Sequence, residues 1–174
     1  MELETRRNSA CFAWIESPLG RLLLVADDEG LREVAFAEGR TPPVVDASWK
    51  PGGHLLSEPV RQLNAFFAAE LCEFDLRLAP QGTPFQQRVW KELCTIPFGA
   101  TISYGELARR IGNPDASRAV GLANGSNPIA VVIPCHRVIG SNGKLTGYGG
   151  GLENKRWLLD FERGQLSANF AASR

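Results

Sequence analysis

The hydrophobic pattern of this chain changes period near residue 80. Before that point apolar residues gather in three short runs, Cys11–Ile15, Leu22–Ala26 and Leu31–Phe36, separated by Ser17-Pro18-Leu19-Gly20 and Asp27-Asp28-Glu29-Gly30. Runs of this length between Pro-, Gly- and Asp-bearing turns read as a β-meander. Thr41–Gly53 reads as a loop. Val60, Leu63, Phe67 and Leu71 then recur at helical spacing behind a Ser57 cap, and Phe74–Leu78 reads as one more strand. Residues 79–83 form a linker, after which helical spacing takes over. Thr83 caps a helix with Pro84 in first position, and Phe85, Val89, Leu93 and Ile96 line one face until Pro97 and Gly99 stop it. These elements predict an α+β chain of two domains, residues 1–80 and 81–174.

With 174 residues, 44% of them hydrophobic and 22% charged, the chain can bury a substantial core. No apolar run reaches the roughly 18 to 20 residues of a membrane span, and Glu2, Glu4, Arg6 and Arg7 are unlike a signal peptide, so a cytoplasmic protein without membrane contact is expected. Cys11, Cys72, Cys94 and Cys135 are far apart, with only His54 and His136 to join them. That supply suggests neither a disulfide framework nor a bound metal. Charge is divided unevenly: residues 1–80 carry 8 basic and 13 acidic groups, residues 81–163 carry 10 and 6. A polyanion would meet the second part, with modest affinity at physiological salt.

That second part contains two short helical patterns, Tyr104, Leu107, Ala108, Ile111 and Ala116, Ala119, Val120, Ala123, joined by Gly112-Asn113-Pro114-Asp115. The spacing is that of a helix-turn-helix. Its second helix presents Ser117, Arg118, Gly121 and Asn124 in place of several long polar side chains, which suits close backbone approach better than reading base edges in the major groove. An ordinary helical hairpin packing its alanines fits the same spacing.

The reactive candidate is Cys135, in Ile133-Pro134-Cys135-His136-Arg137-Val138-Ile139. A thiolate is a strong nucleophile and a nearby imidazole can promote it; a buried structural cysteine is the alternative. On a regular strand Cys135 and His136 face opposite ways, so either the backbone bends or a water relays the proton.

Taken together, Ser103-Tyr104-Gly105-Glu106-Leu107-Ala108, Arg118-Ala119-Val120-Gly121, Asn127-Pro128, Pro134-Cys135-His136-Arg137 and Gly147-Tyr148-Gly149-Gly150-Gly151-Leu152 strongly resemble the O6-alkylguanine-DNA alkyltransferases, over residues 83–163. The match of residues 1–80 is looser and rests on the Ser-Pro-Leu-Gly turn and the meander. The resemblance implies a ribonuclease-H-like N-terminal domain and a mostly helical C-terminal domain with a winged-helix-like helix-turn-helix. It implies irreversible, stoichiometric transfer of an alkyl group from guanine O6 in double-stranded DNA to Cys135, without a cofactor. The base would be flipped out of the stack and the second helix, through Ser117, Arg118, Ala119, Gly121 and Asn124, would lie in the minor groove. A monomer is expected, with cooperative binding on DNA left open.

Residue by residue, the resemblance makes Arg118 the side chain that fills the vacated stack and Tyr104 a donor to guanine N3. It makes His136 and Glu162 the middle and end of a carboxylate–histidine–water–cysteine chain, and Asn127 the bridge from the helix-turn-helix to the active-site segment. The carbonyls of Cys135 and Val138 would accept from the guanine amino group, and an N–H near Gly149 would reach O6. Gly149 stands where some relatives carry serine, which predicts a looser loop. Three other readings compete: a lesion-binding relative, which would lack the cysteine; a thiol hydrolase, which would leave the helix-turn-helix and Arg118 without a purpose; and a small transcriptional regulator, which would need sequence-specific DNA binding and a function independent of the cysteine.

Overall fold

A computed structural model describes residues 9–164; the charged groups expected before residue 9 and Arg174 lie outside it. Strands β1 (Cys11–Ile15), β2 (Leu22–Asp27) and β3 (Gly30–Phe36) form the expected antiparallel meander. β2 is central and buried at every position. Ser17 closes the first turn, its hydroxyl donating to the Gly20 carbonyl at 2.6 Å. Gly30 closes the second at φ 138°, where any Cβ would lie 2.4 Å from the Arg77 carbonyl oxygen, so only glycine fits.

The segment expected as a loop over residues 41–53 contributes a two-residue strand, β4 (Lys50–Pro51), parallel to β1, completing the order β3-β2-β1-β4. Helix α1 (Ser57–Phe67) starts differently from the expectation. Leu56 holds the cap position, a 3₁₀ turn over His54–Leu56 leads into the helix, and Ser57 is its first residue with no side-chain cap bond. Its end explains why Leu71 is excluded: Ala69 adopts φ 60°, and Glu70 N–H donates to the Ala65 carbonyl at 2.9 Å, a Schellman closure made without glycine.

Phe74–Leu78 is not a strand. It makes a single bridge, Leu78 to Leu31, while Gln62 on α1 binds Asp75 through both amide groups at 2.9 Å. The cause is competition for one edge. β3 gives its Leu31 N–H to Arg77 O (2.8 Å) and, three residues on, its Val34 N–H to Pro128 O (3.0 Å), with Ala130 N–H returning to Val34 O (3.0 Å). Two distant segments thus share the open edge of the sheet, and the second leads into Cys135.

In the C-terminal half, α2 (Pro84–Leu93) carries the expected Thr83 cap, completed by the Gln86 side chain as a capping box. Ile96 is buried but lies past the helix end. β5 (Ile102–Ser103), α3 (Tyr104–Arg110) and α4 (Ser117–Gly125) follow, α3 capped by Ser103 and the inter-helix turn made by Gly112 at φ 78°. Trp90 of α2 donates its indole N–H to Ala123 O on α4 at 2.8 Å, fixing the second helix to the core. β6 (Val138–Ile139) pairs parallel with β5, and α5 (Leu152–Glu162) closes the described chain. No described helix is long and apolar enough to cross a membrane.

Candidate active site

Residues 126–134 form a loop, buried from Ile129 onward, and Asn127 shapes it. Its Nδ2 donates to Ile133 O at 2.8 Å and its Oδ1 accepts from Ile129 N–H at 2.9 Å. The loop turns through Val131 at φ 71°, a conformation costly for a β-branched residue and held here by complete burial. Cys135–Arg137 then form one 3₁₀ turn. The backbone therefore bends at the cysteine, and the three side chains splay about 120° apart.

His136 is fully buried and its Nε2 lies 2.7 Å from Glu162 Oε1. Arg137 binds the same carboxylate twice, Nε to Oε2 at 2.9 Å and Nη2 to Oε1 at 2.8 Å, and gives its Nη1 to Ile96 O at 2.7 Å. Gly99 N–H adds a longer bond to Oε2 at 3.3 Å. Burial alone would raise the Glu162 pKa, but the bonds from His136 and Arg137 outweigh it and hold the group at about 2. The same burial lowers His136 despite Glu162, with Arg137 adding to the effect. Burial also raises Cys135, partly countered by Asn127 and Lys155. The resting site thus pairs a neutral thiol and a neutral imidazole with an ionised Glu162–Arg137 couple.

Lys155 on α5 is wholly buried, its ammonium donating to Val138 O at 2.7 Å and Thr146 O at 2.9 Å. Burial lowers its pKa, while proximity to Cys135 works the other way. Sequence reasoning gave neither Arg137 nor Lys155 a role. A signal existed for Lys155: it shares the helical spacing of the buried Leu158, Leu159 and Glu162, a core-facing stripe in which a lysine needs partners.

Cys135 opens into a groove of about 1260 Å³ that runs along α4 to β3. Of the expected residues, Tyr104, Ser117, Arg118, Gly121, Asn124, Asn127 and Gly149 line it with Cys135. His136, Glu162 and Val138 stand behind it, and Ala119 is exposed on the outer face of α4. Arg118 is exposed and enters no ion pair among the described residues, unlike Arg109 and Arg110, which bind Glu106. Tyr104 Oη accepts from Thr146 Oγ1 at 3.1 Å, and its own hydrogen has no acceptor among the described residues.

Two expectations change and one is narrowed. Asn124, placed with the DNA-facing set, is buried, and its Nδ2 donates to Cys135 O at 3.3 Å. The Val138 carbonyl, expected to meet substrate, also accepts from Lys155, which leaves one lone pair for that task. The loop expected to be loose at Gly149 is tied: Gly149 O accepts from Arg40 N–H at 2.9 Å and Gly150 O from Asn154 Nδ2 at 2.8 Å.

Two family models match the chain: the ribonuclease-like domain of 6-O-methylguanine DNA methyltransferase over residues 11–80, and its DNA binding domain over residues 84–164. A methylated-DNA–protein-cysteine methyltransferase of Methanosarcina acetivorans is 55% identical over 151 residues, 87% of this chain and 97% of its own length. One from Mycobacterium tuberculosis is 54% identical over 155 residues, 89% and 93% of the two chains. The crystal structure of Mycobacterium tuberculosis OGT in complex with DNA superimposes with a TM-score of 0.83 at 52% identity, over 91% of this chain and 96% of that one. With both domain models matched in order and relatives this similar along nearly their whole length, the chain belongs to the 6-O-methylguanine DNA methyltransferase family.

Proposed function

We propose that this chain is a single-use DNA repair protein that takes O6-alkylguanine from duplex DNA and moves the alkyl group onto Cys135. The carrying observation is the position of that thiol, which opens on the same groove as Arg118 and Tyr104 while a buried His136–Glu162 pair backs it. The names of the similar Methanosarcina and Mycobacterium proteins, and the DNA-bound Mycobacterium structure, support the reading.

A carboxylate only accepts, so His136 Nε2 carries the hydrogen that Glu162 receives, and Nδ1 keeps its lone pair with no partner among the described residues. Nδ1 is thus the base that takes the Cys135 proton, with a water as relay in the family's pattern. As Sγ bonds to the alkyl carbon, the carbon–O6 bond breaks and its electron pair passes to O6 and the purine ring. The hydroxyl hydrogen of Tyr104 stabilises that charge at N3, and the proton held by His136 finally neutralises the base at N1. The thioether has no leaving group, so one molecule performs one repair.

Base flipping gives the thiol its in-line approach. Arg118 enters the vacated stack from the exposed start of α4, and the small residues Ser117, Ala119 and Gly121 let that helix approach the minor groove. In this reading residues 81–174 carry DNA and chemistry, residues 1–80 form a scaffold whose β3 edge holds the active-site loop, and a monomer suffices.

The test is incubation of wild type and Cys135→Ser with duplex DNA containing O6-methylguanine, followed by intact mass and peptide mapping. One added methyl confined to Cys135, and absent from the variant, is expected. Methyl on another cysteine, or sustained turnover, overturns the proposal.

A further inference from the structure

Among the described residues three buried side-chain polar atoms have no hydrogen-bond partner: Asn124 Oδ1, His136 Nδ1 and Tyr148 Oη. The histidine nitrogen is accounted for as the base. Asn124 is not used by the chemistry above, yet it is 3% exposed and lines the groove beside Cys135 and Tyr104. Its orientation is fixed by its other end, because the Cys135 carbonyl can only accept and so must face Nδ2 (3.3 Å). The amide oxygen is therefore the end left over, a buried acceptor that calls for a donor.

We propose that Asn124 Oδ1 accepts a hydrogen bond from the 2-amino group of the flipped guanine and so determines which alkylated base is repaired; this rests on Cys135 being the alkyl acceptor. The chemistry of the lesion narrows the match. Alkylation at O6 locks the ring in its enol-ether form, leaving N1 without a hydrogen; N3 and N7 are acceptors and N9 carries the sugar. The only N–H groups remaining on O6-alkylguanine are those of the 2-amino group. The Cys135 and Val138 carbonyls, which face the same task, each accept one bond already, from Asn124 and Lys155, and keep one lone pair, whereas Asn124 Oδ1 has no partner among the described residues. An O4-alkylthymine has no N–H at all, and would leave the Asn124 oxygen without a donor. Sites built to bond a polar group discriminate strongly against analogues that lack it.

The experiment measures single-turnover methyl transfer to Cys135 from duplexes carrying O6-methylguanine or O6-methylhypoxanthine, which lacks only the 2-amino group. Wild type, Asn124→Ala and the volume-keeping Asn124→Leu are compared. Wild type is expected to prefer O6-methylguanine about tenfold, and both variants to bring that ratio below about threefold, chiefly by slowing the guanine reaction. The ratio is internal to each protein, so partial loss of active molecules cancels. Variants that slow both lesions equally and keep the ratio overturn the assignment, since Asn124 would then act only by positioning the Cys135 carbonyl. Equal rates in wild type overturn it without any variant. Absence of transfer from either lesion to wild type is a separate outcome that overturns the alkyl-acceptor reading itself.

Discussion

Arg137 grips Glu162 through both carboxylate oxygens, at 2.9 and 2.8 Å, and the second of these oxygens is the one that also receives His136 at 2.7 Å. A permanent cation thus neutralises the carboxylate that orients the histidine. Glu162 can hold the imidazole in one tautomer without pulling it into the charged state, which suits a base that must be unprotonated before the reaction. Replacing Arg137 by Met should leave Glu162 buried with no full counter-charge and cost about 3 to 5 kcal/mol of stability. It should also raise the His136 pKa, because Arg137 lowers it and, among charges, only the weaker influence of Lys155 would then oppose Glu162. Urea melts and an NMR titration of the imidazole read the two effects.

Stability should depend on pH from both sides. Glu162 has a folded pKa of about 2 against an ordinary 4.5, so its contribution is full above pH 4.5 and is lost as pH falls toward 2, amounting to about 3 kcal/mol. His136 is held below its ordinary 6.5, so acidification through 6.5 favours the unfolded chain, which takes up the proton first. Cys135 is raised above 9.0, so alkaline conditions beyond 9 favour the unfolded thiolate. Melting temperature should therefore be highest between these values, and a profile that stays flat from pH 7 to about pH 3 would contradict the assigned network.

Adjacent glycines in the pocket loop should respond in opposite ways. A Cβ on Gly149 meets nothing within 4 Å, whereas one on Gly150 lies 2.6 Å from the ring of buried Phe36. Gly149→Ser should fold and transfer normally, and Gly150→Ala should lose about 1 to 3 kcal/mol through overpacking and slow transfer as the loop shifts. Thermal melts and single-turnover rates on both variants check this.

Asn127→Ala removes two bonds that close the loop before Cys135, at 2.8 and 2.9 Å, and leaves the Ile129 N–H and Ile133 carbonyl without these partners. Destabilisation of about 2 to 4 kcal/mol is expected. The Cys135 thiol pKa should rise as well, because Asn127 is the largest influence lowering it; a thiol-reactivity profile against pH reads that shift.

Alkylation itself should weaken the fold. Cys135 is nearly buried at the wall of the groove, so a methyl on Sγ removes the thiol hydrogen, disturbs the contact with Asn127 and presses on the residues closest to the sulfur, together costing about 1 to 3 kcal/mol. A melting temperature unchanged or raised after repair would contradict the packing described for this cysteine.

Features built from neighbouring residues were legible in the chain. The meander follows from apolar runs between Ser17–Gly20 and Asp27–Gly30, the start of α2 from Thr83 and Pro84, and the reactive candidate from Pro134-Cys135-His136-Arg137, because each depends on bonds within a few positions. The misread elements are those whose hydrogen bonds went elsewhere. Phe74–Leu78 has a strand's composition, but β3 divides its edge between that segment and Pro128–Ala130, and Lys50–Pro51, inside the expected loop, pairs with β1. Tertiary structure alone turned Asn124 inward, brought Arg137 and Lys155 to the site, and gave Glu162 its low pKa. Those outcomes depend on partners 11 to 26 residues away meeting in a space closed to water, where an unpaired charge or amide is too costly to persist and the fold must supply its complement.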